Sequence, residues 1–353
     1  MRSIIIFLVV TLSLTACLDP IKFKFEGQTS HLVVFSNFSS KRGEQLVRLS
    51  RSVPFDSPYK VYVKNARVYI TSGAGELFEF YHRESGAYYA NEGVQVIPGE
   101  TYVLHIEVDG EVYESKPAKA PTLDESVTIQ DILMEVDNKP VIIPGEKELR
   151  TLEGFMFKAN YQDKAGIPNF TRWSYYREYE VDTQPWNFID YFCPRGCPRP
   201  APKSCCQHCY VTNKEEFFTV SNDRLTDGRL VQNVPIVFMQ FYQLMNTRMK
   251  LSLYLHNISE EAYIYYKALE AQAESSGTML DPPPTEVISN MFNVNNAEEQ
   301  VIGFFEVSTI DEKNFIFTPD MLPIKLEPFI YPDDCRVIIG ASVDKPIGFD
   351  EGF

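Results

Sequence analysis

The sequence predicts a mostly β protein. An N-terminal immunoglobulin- or fibronectin-like sandwich is followed by a larger β-rich domain with one amphipathic helix and a Cys-rich loop insertion. Three observations carry this. Aromatic and proline content is high, with Pro 23, Tyr 20 and Phe 25, and short Val/Ile/Tyr runs recur, a composition that suits strands. Turn dipeptides such as Pro98-Gly99 and Asp109-Gly110 separate those runs. A helical period is sustained clearly in a single stretch, residues 260–276.

The chain opens with Arg2, an apolar run from Ile4 to Leu14, and Leu14-Thr15-Ala16-Cys17. A charged start, a short apolar core and small residues before the cleavage point make residues 1–16 a signal peptide. The cysteine that follows makes it a lipoprotein signal. Lipid on the Cys17 thiol and an acyl chain on its freed amine supply the several chains that stable anchoring needs. The core is too short to span a bilayer, which takes about 20 apolar residues. Residues 17–30 then form a lipidated tether. Asp19 is followed by Lys22 and Lys24, which leaves open whether the protein faces the periplasm or the cell surface.

Residues 31–116 read as the sandwich. His31–Phe35 and Leu46–Ser50 are strand runs, and Ala66, Val68 and Ile70 alternate onto one face. Pro98-Gly99 turns the chain into Thr101–Val108, where Tyr102, Leu104 and Ile106 share a face. A tyrosine placed there resembles a tyrosine corner, in which the phenol bonds back to upstream backbone. Pro98, Gly99 and Tyr102 are therefore structural candidates. Asp109-Gly110 closes a hairpin to Glu111–Ser115. Residues 117–121, with Pro117 and Pro121, read as a linker.

Residues 122–353 form the second domain. Phe170–Glu180 is a strongly aromatic strand. Alternation places Phe170, Arg172, Ser174, Tyr176 and Glu178 on one face, and Trp173, Tyr175, Arg177 and Tyr179 on the other. Trp173, Tyr175, Tyr179 and the nearby Trp186 are ligand-binding candidates, because stacked rings suit sugars or peptides. Core packing competes with that reading. Residues 181–215 are a loop insertion holding Cys193, Cys197, Cys205, Cys206 and Cys209. With Cys17 spent on lipid, these five and Cys335 make an even six. The compartment of an exported protein oxidises thiols, so they read as up to three disulfides. Five cysteines cannot all pair among themselves, so Cys335 is expected to bridge back to the insertion. The competing reading is zinc held by the same cysteines with His208; the spacing is not a double C-x2-C ribbon. Strands follow at 235–242 and 249–255. Ser259 caps the helix, Glu260 and Glu261 suit its positive end, and Ala262, Tyr265, Tyr266, Leu269 and Ala273 make its apolar stripe. A further strand is expected at 301–307.

The order of features from Leu251-Ser252-Leu253 through Ser259-Glu260-Glu261-Ala262-Tyr263, Tyr266-Lys267-Ala268-Leu269, Pro282-Pro283, Ser289-Asn290 and Gly303-Phe304-Phe305 to Cys335 and Lys345-Pro346 resembles the Bacteroidota lipoprotein family of domain of unknown function 4249. Leu32-Val33-Val34 and Leu49-Ser50-Arg51-Ser52 resemble it too, while the cysteine insertion departs from the usual pattern. The resemblance implies an outer-membrane lipoprotein often encoded beside a TonB-dependent receptor. The family has no established catalytic residues to carry over.

Net charge is −15, with no basic stretch, which argues against nucleic acid. There is no His-Glu-x2-His and no Gly-x-Ser-x-Gly, so no enzyme is predicted, and no cofactor. The expected function is an outer-membrane-anchored accessory or binding lipoprotein partnering a TonB-dependent receptor in nutrient uptake. The alternative is a structural or adhesive surface lipoprotein, with a secreted hydrolase third. The ligand is not specified by the sequence.

Overall fold

A computed structural model describes residues 30–350 apart from 44, 55–56, 143–148, 216–218, 242–247, 275–286, 324–332 and 347. Cys17, the signal stretch and residues 17–29 of the tether lie outside the described residues. No helix among the described residues is long and apolar enough to cross a membrane.

The fold is mostly β with one α-helix among the described residues. The N-terminal part holds β1 (Leu32–Ser39), β2 (Leu46–Arg51), β3 (Val61–Tyr62), β4 (Arg67–Ser72), β5 (Leu77–Glu84), β6 (Ala87–Ala90), β7 (Thr101–Val108), β8 (Glu111–Ser115) and β9 (Ala118–Lys119). Then come β10 (Thr128–Ile142), β11 (Leu149–Gln162) and β12 (Phe170–Asp182), followed by the short β13 (Ile189–Asp190) and β14 (Arg199–Pro200). The chain continues through β15 (His208–Glu215), β16 (Val220–Asn222), β17 (Leu230–Gln240) and β18 (Met249–Asn257) to α1 (Glu260–Glu274). It finishes with β19 (Met291–Asn293), β20 (Ile302–Phe317) and β21 (Ala341–Ser342).

Local chemistry explains the N-terminal strands. β7 buries Tyr102, Leu104, Ile106 and Val108 on one face, the period-2 pattern of a half-buried strand. Before it, Glu100 N–H donates to Ile97 O (3.1 Å) across Pro98-Gly99, and Gly99 takes φ 83. That is a type II turn, whose third position demands positive φ. The turn aims Ile97 N–H at the Tyr102 phenol oxygen, 2.8 Å away. The corner thus satisfies a backbone donor next to the core, worth about 1 kcal/mol. Asp109-Gly110 joins β7 to β8 with Val108 facing Glu111.

The first core is not closed by residues 31–116 alone. β19 pairs with β8, and the first half of β20 pairs in parallel with β1, Val33 facing Ile302 and Ser39 facing Ser308. Met291, Val301, Phe305 and Val307 therefore pack with Val34, Leu49, Ile70 and Leu104. Residues 117–121 also differ from a free linker: β9 pairs with β7 and Ala120 is fully buried in the first core. Sheet partners this far apart in sequence leave no local periodicity to read.

The second core lies between the three-stranded sheet β10-β11-β17 and the strands β12, β18 and β20. It contains Phe155, Phe157, Trp173, Leu251, Leu253 and Phe317. β20 belongs to both halves: residues 302–308 run beside β1 and residues 309–317 beside β18. Gly303 is required where β20 meets β1, because a Cβ there would come within 1.8 Å of Val34 O. Ser259 starts α1 as expected, its Oγ accepting from Ala262 N–H at 3.2 Å. Ala262 and Tyr266 are buried against Val220, Ile258 and Phe304, with Tyr265 and Leu269 alongside. Ala273 is exposed, so the stripe ends one turn earlier than its period suggests.

The cysteine insertion is shorter than expected. β12 runs to Asp182, and from His208 the chain is again a strand paired to it, so Cys209 is a buried strand residue. Cys335 does return: Cys209–Cys335 is a disulfide, Cα–Cα 5.7 Å, closing a separation of 126 residues. A closure that long contributes about 4–5 kcal/mol in the chain-entropy account. Cys193–Cys197 is the second bridge, and Cys205 and Cys206 carry free thiols. Four of the six thiols are thus consumed, which removes the Cys-rich zinc set.

Candidate functional site

The aromatic candidates separate sharply. Trp173 is fully buried, and Tyr175 and Tyr179 pack against the same second core. Trp173 therefore presents no ring face to a ligand; it faces inward because the three-stranded sheet covers that side of β12. Trp186 is half exposed on the insertion, just past the end of β12. The opposite face of β12 is the one that opens. Arg172, Ser174 and Tyr176 line a cleft of about 670 Å³ at the place where β1 and β18 diverge from β20.

Each wall of the cleft has a local cause. β1 contributes Phe35, Asn37 and Ser39 from the face it turns away from the first core. The β1–β2 connection contributes Lys41 and Arg42, and β2 contributes Arg48, an exposed position of a half-buried strand. β18 supplies Tyr254 and His256. It is buried along its whole length, so its polar side chains must find partners inside.

They do. Arg172 Nε donates to Glu306 Oε2 at 2.8 Å and Nη2 to Oε1 at 2.9 Å, a bidentate pair with side chains 5% and 0% exposed. Arg172 Nη2 also donates to His256 Nδ1 (3.1 Å), which fixes the imidazole with its hydrogen on Nε2, donated to Ser174 Oγ at 2.8 Å. Asn37, with its amide turned to satisfy both neighbours, accepts from Arg172 (2.9 Å) and donates to Glu306 (3.3 Å). Tyr266 of α1 lies under the guanidinium, 5.0 Å from ring centroid to Cζ.

The electrostatics follow from burial. Desolvation, reinforced by the Arg172 charge, lowers His256 to about 4, so it is neutral at physiological pH. For Glu306 burial acts upward. The Arg172 charge, with the two hydrogen bonds that Arg172 donates, outweighs that and holds the carboxyl well below its usual range. The network is a fixed ion pair with a neutral, oriented histidine. It has no nucleophile poised beside a base, because Ser174 accepts from His256 rather than donating to it.

Above this floor the cleft is basic and aromatic. Lys41 Nζ lies 3.7 Å from the Tyr254 ring centroid and 4.9 Å from that of Tyr176, and donates to the Tyr254 phenol at 2.5 Å. Among the described residues no aspartate or glutamate lines the wall, Glu306 lying beneath Arg172. Lys41 Nζ also pairs with Glu312, 3.7 Å away and outside the lining. Arg42 and Arg48 pair with no carboxylate among the described residues. In a chain of net charge −15, those two arginines make the wall locally basic.

The family model described as a domain of unknown function, DUF4249, matches residues 18–314. The chain belongs to that family. No curated protein matches the sequence. Every residue named in the cleft falls inside the stretch matched by the DUF4249 model, whereas Cys335 and its bridge to Cys209 reach beyond it.

Other candidates have structural duties. Tyr102, Pro98 and Gly99 form the corner described above. His105 stacks on Tyr69 with centroids 4.7 Å apart and bonds Thr71 and Glu114. The sequence did not point to Glu306 or His256. Their signal is a charged or polar residue at an inward position of an apolar run.

Proposed function

We propose that this protein is a lipid-anchored binding protein of the outer membrane. In this reading it takes an organic anion into the β1/β12/β18 cleft and serves a TonB-dependent receptor in nutrient uptake. The carrying observation is the cleft itself: Lys41, Arg42, Arg48 and Arg172 gathered with Tyr176 and Tyr254, and no described carboxylate on the wall. Cationic side chains focus an anion into a concave, partly desolvated site. The tyrosine rings add apolar faces and phenol hydrogens for a ligand with a carbon frame. The buried Arg172–Glu306 pair makes this floor rigid, so binding costs little reorganisation. The Leu14-Thr15-Ala16-Cys17 signal supports the anchor, and the family resemblance supports the receptor partnership.

The test has two parts. The purified protein is titrated calorimetrically with small organic anions, among them oligogalacturonates and citrate, beside neutral sugars of the same size. Saturable binding of an anion that weakens at least tenfold in Arg48→Glu, with neutral sugars silent, is the expected result. Equal binding of neutral and anionic ligands would sink the anion reading. Mild-detergent extraction followed by mass spectrometry is expected to recover a large β-barrel with the protein; extraction alone, free of any barrel, counts against the partnership.

A further inference from the structure

A second cluster lies outside the cleft, where two loops cross between the layers of the second sandwich. The loop 163–169 leads from β11 to β12, and the loop 223–229 leads from β16 to β17. Both pass from one sheet to the other, in opposite directions. They carry Asp163, Asp223 and Asp227, whose carboxylates each place an oxygen within 4.8 Å of the others. The loops are cross-laced. Gly228 N–H donates to Asp163 Oδ2 (2.8 Å), Gly166 N–H to Asp227 Oδ1 (2.6 Å) and Asn169 N–H to Asp223 Oδ2 (2.9 Å). Each carboxylate is thus held by one oxygen.

Three anions packed this closely repel, and no lysine or arginine pairs with any of them among the described residues. The independent observation concerns the buried acceptors. Asp163 is 3% exposed and its Oδ1 has no hydrogen-bond partner. Asn169 is 4% exposed. Its amide nitrogen is spent on Ile167 O (2.5 Å), its backbone N–H holds Asp223, and its Oδ1 has no donor. The Thr226 hydroxyl of the facing loop is likewise buried without a partner. Buried acceptors of this kind occur together when something other than a protein hydrogen satisfies them. Carboxylate, amide and hydroxyl oxygens are the donor set of a hard divalent cation, and several mixed oxygens on loops suit calcium better than magnesium, which demands a strict octahedron.

We infer that Asp163, Asp223 and Asp227, with the side-chain oxygen of Asn169, form a calcium site that clamps the two crossover loops of the second sandwich. A divalent charge would offset the mutual repulsion of the three carboxylates. Because Tyr161 and Trp173 pack nearby, with Tyr161 beside Ser221, a bound lanthanide can be excited through their rings.

The protein, stripped with EDTA and dialysed, is titrated with Ca²⁺ and with Tb³⁺. Sensitised terbium emission displaced by Ca²⁺ is expected, with a dissociation constant on the order of 10⁻⁴–10⁻³ M, the range of extracellular modules. A rise in melting temperature of about 2–4 °C is expected at tenfold excess over that constant. Asp163→Asn and Asp227→Asn should abolish emission and shift while remaining folded without metal. Choline chloride at matched ionic strength controls for screening. The inference fails if Ca²⁺ does no more than choline, or if both variants keep the Ca²⁺-dependent shift.

Discussion

Two clusters of charged side chains serve this molecule on opposite plans. At the cleft floor, Arg172 and Glu306 meet in a bidentate pair and His256 is neutral, so the charge is balanced by the chain's own side chains. At the crossover loops, Asp163, Asp223 and Asp227 face one another and the chain supplies only backbone N–H groups. The first cluster is buried at the floor of the cleft, Glu306 completely. The second runs from buried Asp163 to exposed Asp227. The contrast shows what each can tolerate. A balanced buried pair resists removal of one partner, whereas an unbalanced anion cluster should welcome it.

The largest effect is therefore expected at Glu306. Glu306→Gln keeps the shape and leaves Arg172 charged with its carboxylate gone, at a cost of about 3–5 kcal/mol in unfolding free energy. Urea denaturation measures it. The double variant Arg172→Met with Glu306→Leu should lose less than Glu306→Gln does, since no bare charge remains. A double variant that is worse by the sum of its singles would show that packing, not charge balance, governs this floor.

The pH response comes next. Folding lowers His256 from 6.5 to about 4. Between those values the unfolded chain holds a proton that the folded chain does not, so stability falls as pH falls through the window and is complete above it. The span corresponds to about 3 kcal/mol. Glu306, also lowered, adds loss below the usual carboxylate range. His256→Gln should flatten the stability profile between pH 6.5 and 4 and leave the steeper fall below it. Ser174→Ala is smaller: it strands the Nε2 hydrogen of His256 and should cost about 1–2 kcal/mol without moving the window.

How far these features could be read from sequence depends on the reach of the contacts. β7, its type II turn and the cap of α1 were legible because each is made by residues within a few positions of one another. Cys335 was legible through cysteine parity, not distance. The alternation of β12 correctly sorts Arg172, Ser174 and Tyr176 from Trp173, yet the face richer in aromatics is the covered one, and residue type does not say which face a second sheet will cover. Glu306 was hidden inside the apolar run Ile302–Val307. The partners that explain it, Arg172 and His256, lie on other strands. The acidic trio escaped for a similar reason: Asp223-x3-Asp227-Gly228 looks like an ordinary turn until Asp163, some 60 residues earlier, is set against it.

The smallest expected effect decides the comparison most cleanly, because its sign is reversed. In metal-free buffer Asp163→Asn removes one of three mutually repelling anions. The new amide keeps an oxygen for Gly228 N–H and offers hydrogens to Asp223 and Asp227. Stability at neutral pH should rise by on the order of 1 kcal/mol, screened because Asp227 is exposed. The pH sign also inverts. A carboxyl whose folded pKa is raised binds its proton more readily in the folded chain, so acidification through that range stabilises, and the variant lacks this gain. Adding Ca²⁺ should then reverse the ranking, with the wild type overtaking the variant. A variant less stable than wild type in EDTA would mean that Asp163 is held by its hydrogen bonds alone, and the two clusters would not differ in kind.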